Sequence, residues 1–139
     1  MKHLKTVILF GLAAASVLCA PSVQAADRMK SGLWEMTSTN GGAAHTGSTC
    51  AAPDTVKLIN GTPSELRAFV ESTNAQAKCR VQNYKLDGDV ESYTAVCGGS
   101  STDITTTYHG DSYKMVMTTK GDAGVSTSQI QARRLGPCP

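Results

Sequence analysis

The chain has few aromatic residues: one Trp, two Phe and four Tyr, 5% of 139 residues. A large aromatic core is therefore excluded, and whatever core forms must be thin. There is no Cys-x-x-Cys pair and no pair of histidines at i, i+4, which removes the usual zinc spacings. No Gly-x-Ser-x-Gly elbow is present, so the common hydrolase nucleophile turn is missing. Charged residues make up only 17% and form no long run of one sign. No repeat at solenoid period occurs, and there is no composition break suggesting a second domain.

The only long apolar run lies at the beginning. Lys2 and Lys5 precede an apolar stretch from Thr6 to Cys19, and Val23-Gln24-Ala25 supplies small residues for cleavage, so residues 1–25 read as a signal peptide. Cutting after Ala20 would leave Pro21 beside the scissile bond, which favours the cut after Ala25. The run is short of the about 20 residues a membrane span needs. A lipid anchor on Cys19 is the alternative, although Leu18 is large for the position before a lipidated cysteine. Removing this segment takes two of the 13 basic residues and leaves 11 against 11 acidic ones. The remaining Ala26–Pro139 chain is near neutral, which argues against nucleic acid or anionic membrane as a partner held by a global basic field. The expected location is periplasmic or secreted, with 26–139 forming one exported domain.

Cleavage also turns five cysteines into four, Cys50, Cys79, Cys97 and Cys138, an even number suited to an oxidising compartment. Three pairings are open. The segment around Asp87-Gly88-Asp89 reads as a hairpin, since Asp-Gly between alternating segments tolerates the positive φ a turn demands. A three-residue loop pairs Leu86 with Val90, sets Lys85 against Glu91 and places Cys79 opposite Cys97. A two-residue loop would shift the pairing by one and lose both. The three-residue register is therefore expected, and it leaves Cys50 for Cys138. These bonds would contribute about 3 and about 4–5 kcal/mol in the chain-entropy account.

Around this hairpin the chain reads as mainly β, with α+β as the alternative: a single curved antiparallel meander with a helical insertion across it. Ser31 to Thr39 alternates as a strand ending at Asn40-Gly41-Gly42, and His45 to Cys50 reads as a second. Pro53 to Ile59 reads as a short helix. Thr62-Pro63-Ser64-Glu65 is a capping box opening a longer one, with Leu66, Phe69 and Val70 on one face. Asn60-Gly61-Thr62 matches a glycosylation sequon, read as chance because the leader has a bacterial character. Thr102 to Tyr108 and Ser112 to Thr119 flank His109-Gly110-Asp111 as a second hairpin, and Val125 to Arg133 forms the last strand.

The two ends of this region carry a resemblance. Met29-Lys30-Ser31-Gly32-Leu33-Trp34-Glu35-Met36 and Arg133-Arg134-Leu135-Gly136-Pro137-Cys138-Pro139 resemble the opening and closing signatures of the bacterial family called domain of unknown function 3617. Ser31 stands where the family usually has Pro, and Ala132 where it has Gly. The resemblance implies a small exported, disulfide-bearing, β-rich domain. It brings no established activity, substrate, cofactor or catalytic residue.

Candidate chemistry is sparse. His45 and His109 are the histidines outside the leader, and Asp87-Gly88-Asp89 is too short for a calcium loop. No catalytic residue, metal ligand or cofactor is assigned. Arg133 and Arg134 face opposite sides of a strand and are the candidate anion contacts, with Glu35 or Asp103 as the structural partner across the sheet. Leu33, Trp34, Tyr113, Met115 and Met117 are the candidate lining of an apolar groove, Met being an adaptable surface. Two functions stay open. One is a non-enzymatic binding or envelope-maintenance module taking a small apolar ligand or an envelope protein. The other is an enzyme with a site of Tyr, Arg and Glu residues on the sheet.

Overall fold

The structure is a computed structural model and describes residues 27–139; the expected leader and Cys19 lie outside the described residues. Seven strands and two helices follow in the order β1 (Gly32–Asn40), β2 (Ala43–Ala51), α1 (Pro53–Ile59), α2 (Pro63–Gln76), β3 (Arg80–Asp87), β4 (Val90–Cys97), β5 (Ser100–Tyr108), β6 (Ser112–Gly121) and β7 (Gly124–Gly136). All strand neighbours are antiparallel, in one open sheet of order β2-β1-β7-β6-β5-β4-β3. Strands β3 to β7 form a sequential meander. The β1–β2 hairpin then joins the far side of β7, so the first and last strands lie side by side in mid-sheet. Among the described residues, no helix is long and apolar enough to cross a membrane.

Period-two alternation gives the sheet two unlike faces. Both helices lie on the face that carries Trp34, Ala132, Tyr113, Tyr108, Thr106 and Ile104, and here the core forms. Trp34, 1% exposed, packs with Met29, Val56 and Ala132, and its indole Nε1 donates to the Lys30 carbonyl at 3.0 Å. The helices form for local reasons. Pro53 and Pro63 sit in their first turns, and the capping box closes as the sequence implies, with Thr62 Oγ1 accepting from Glu65 N while Glu65 Oε2 accepts from Thr62 N. Leu66 and Val70 are buried beneath α2. Asn60, in the helix junction, exchanges two hydrogen bonds with the Met29 backbone at 2.9 and 2.7 Å, so the side chain of the sequon is committed to the fold.

The central hairpin departs from the expected register. Its turn is two residues long: Asp87 pairs with Val90, Leu86 with Glu91 and Lys85 with Ser92, and Gly88 takes φ 58°. The Lys85–Glu91 pair is therefore absent. A bulge between Gln82 and Lys85, where Asn83 adopts φ 53°, then shifts the register back by one. Arg80 faces Val96 beyond it, and Cys79 and Cys97 are bonded. The second disulfide joins Cys50 to Cys138. A turn and a bulge that cancel keep the disulfide while setting Leu86, in place of Lys85, opposite Glu91.

Two further devices fix the ends. Gly32, at φ 142°, lies so close to β7 that a Cβ there would be 2.2 Å from the Gly136 carbonyl. Arg28, 6% exposed, donates from Nη1 to the carbonyls of Ile59 and Gly61 and from Nε, at 3.4 Å, to that of Gly88. One guanidinium thus ties the helix junction to the β3–β4 turn.

Candidate functional site

The cavity under α2 is built from both layers. The helix contributes Leu66, Phe69, Val70, Thr73 and Asn74, and the sheet contributes Glu91 and Tyr93 from β4, Thr106 and Tyr108 from β5, and Tyr113 and Met115 from β6. Met29 and Ile59 complete the lining. Its volume is about 220 Å³, and it opens to solvent. The helix face is narrow, which is why it bridges rather than fills the space above the strands.

One carboxyl lies in this apolar setting. Glu91 is 3% exposed and accepts a hydrogen bond from Tyr108 Oη on Oε2 at 3.0 Å. Among the described residues, its other oxygen, Oε1, has no hydrogen-bond partner, and neither do Thr106 Oγ1 or Tyr84 Oη. Tyr84 stands near the carboxyl, close enough for each to affect the other's ionisation, but outside hydrogen-bond geometry. Burial raises the Glu91 carboxyl above its usual range, against the opposing effects of the Tyr108 and Tyr84 hydroxyls and the Arg28 charge. Burial likewise raises Tyr108, reinforced by Glu91, and raises Tyr93 and Tyr113. These phenols stay neutral donors. The cavity therefore offers apolar and aromatic walls with a few acceptor oxygens on its sheet side.

The expected groove residues divide. Tyr113 and Met115 line the cavity. Trp34 sits behind it, its ring 5.6 Å from that of Tyr113, as a core residue. Met117 is half-buried and does not reach the lining; Leu33 points to the opposite face, where it pairs with Cys50. Arg133 Nε donates to Glu35 Oε1 at 2.8 Å and Arg134 Nε to the Ser31 carbonyl at 2.7 Å. A second depression of about 470 Å³ lies beside Arg133, bounded by Glu35, His109, Lys114 and Gln131, and holds no buried unpartnered group. Sequence reasoning missed Glu91, Thr106, Tyr93 and Phe69 as lining. The alternation of Ile104, Thr106 and Tyr108 was the available signal for β5, whereas Glu91 was hidden by the register. Among the described residues, no cluster of three or more His, Cys, Asp or Glu is arranged to hold a metal ion.

A family model described as a protein of unknown function, DUF3617, matches residues 29–138. That span runs from the methionine that completes the cavity lining to the last half-cystine. No curated protein and no solved structure was found to match the chain.

Proposed function

The chain belongs to the DUF3617 family, and we propose that it is an exported, non-enzymatic binding module that holds a small apolar ligand between α2 and the sheet. The observation that carries this reading is the open cavity of about 220 Å³ in a protein whose core is otherwise thin. A well-packed interior leaves few voids larger than a water molecule. A cavity of about 150 Å³ with apolar walls admits benzene, so this one suits a ligand of about 9 non-hydrogen atoms. Two disulfides agree with an oxidising compartment, so the module acts in the periplasm or outside the cell, on an envelope component or a diffusible apolar compound.

The alternative of an enzyme with Tyr, Arg and Glu is favoured only by the meeting of Tyr108, Arg28 and Glu91. Arg28 is occupied by backbone carbonyls, and no activated nucleophile stands beside Glu91. Native mass spectrometry of protein exported by its own leader tests the proposal, together with calorimetric titration of the emptied protein with 1-octanol. A co-purifying small molecule, or saturable one-site binding of octanol, is expected. Protein that carries nothing and takes up neither octanol nor a charged amphiphile of the same chain length would overturn the reading.

A further inference from the structure

Among the described residues, Glu91 is a buried acid with no ion-pair partner. The four ion pairs among the described residues are Lys30–Asp111, Arg67–Glu71, Lys120–Asp103 and Arg133–Glu35, all elsewhere and solvent-facing. Arg28 is the basic side chain whose charge reaches Glu91, yet it makes no hydrogen bond to the carboxyl. Taking a carboxylate out of water without a paired cation costs several kcal/mol, and an unpaired acceptor at the same place adds to that cost. Both defects face one cavity: Glu91 and Thr106 line it, and each is at least nine-tenths buried with an unpartnered oxygen. The rings around them are also of one kind. Phe69, Tyr93, Tyr108 and Tyr113 all line the same space, and aromatic faces attract a cation once it is stripped of water.

We propose that the ligand of this cavity is an organic monocation, a primary ammonium on a short apolar arm, with its charge on Glu91 Oε1, a hydrogen bond to Thr106 Oγ1 and its arm between α2 and the tyrosines. This rests on the cavity-binding reading and adds the head group to it. A carboxylate head would meet Glu91 as a like charge. An alcohol satisfies the free oxygens but leaves the charge unmatched. Tyr84 Oη is the competitor for the carboxyl within the fold, and it stays outside hydrogen-bond geometry. Arg28 opposes a cation in part, but three backbone carbonyls hold its guanidinium.

Octylammonium, 1-octanol and octanoate share one chain and differ in the head group, so calorimetric titration of the disulfide-intact protein at neutral pH separates the cases. Octylammonium is expected to bind at least about tenfold more tightly than octanol, and octanoate more weakly than both. In Glu91→Gln, the preference for octylammonium over octanol should fall to within about twofold. Should that variant not fold, Glu91→Asp, which keeps the charge and withdraws it by one methylene, should cut the preference for octylammonium over octanol at least about fivefold. Octanol binding as tightly as octylammonium in the unaltered protein would overturn the head-group assignment and leave the cavity reading intact. A preference for octylammonium that survives both substitutions would overturn the role of Glu91. If none of the three compounds binds, the binding reading itself falls.

Discussion

The two faces of the sheet treat the same residue type in opposite ways. On the open face, Glu35 and Asp103 are acids in water, paired with Arg133 and Lys120 across neighbouring strands, among threonines that hydrogen-bond in cross-strand pairs such as Thr37–Thr46 and Thr118–Thr127. On the helix-bearing face, Glu91 sits among tyrosines with one donor and no paired cation. Asp103 is held below its usual carboxylate range, first by the Thr94 hydroxyl and then by Lys120, whereas burial pushes Glu91 upward. An ion pair in water adds little, and an acid in an apolar wall costs stability. The acids of the open face cost little and add little, whereas the helix-bearing face gives up stability where it lines the cavity.

The largest expected effect tests whether the helix-bearing face holds the fold. Trp34→Ala should cost about 3–5 kcal/mol in urea unfolding followed by far-UV circular dichroism. A loss below about 1 kcal/mol would mean that the stabilising core lies elsewhere. The next tests the two acids by the sign of their pH dependence. Glu91 binds its proton more tightly folded than unfolded, so its contribution to stability falls as pH rises above 4.5 towards its raised folded value. Asp103 does the reverse, and its contribution is lost as pH falls below 3.8. Thermal melts across pH should therefore show Glu91→Gln removing a decline on the high side, and Asp103→Asn removing one on the acid side. Equal pH profiles for the two variants would erase the contrast between the faces. Thr62→Ala, which removes the N-cap of the helix roofing the cavity, should cost about 1 kcal/mol by the same melts. Arg133→Gln should have the smallest effect, between about 0 and 1 kcal/mol, because Arg133 is 70% and Glu35 30% exposed. A larger loss would show that the open face also carries the fold.

Much of this architecture is legible in the residues. The capping box at Thr62 specifies its helix start, and Ile104, Thr106 and Tyr108 mark one face of β5 by period alone. The turn at Gly88 and the opposite position of the cysteines are also readable, but their connection is not. Asn83 tolerates a left-handed conformation without requiring it, so the bulge that reconciles a two-residue turn with Cys79–Cys97 leaves almost no trace in the sequence. That one residue decides that Leu86 rather than Lys85 lies opposite Glu91, and the acid that lines the cavity stayed hidden for this reason. Arg28 was hidden differently: its partners are main-chain carbonyls, which every sequence has.

The place of β7 between β1 and β6 sets an order on how the protein can be made. Glu35 finds Arg133 across 98 positions of chain, so the first hairpin is synthesised long before its neighbour exists. A two-stranded hairpin by itself is marginal in water, and such distant pairing slows folding. The meander from β3 to β6 can assemble as it emerges, while β1 and β2 wait for the last strand to dock and for Cys138 to reach Cys50. Loss of β7 would therefore detach the β1–β2 hairpin, at the beginning of the chain, from the rest of the sheet, and a chain whose β7 has yet to emerge would hold an open edge exposed to other chains.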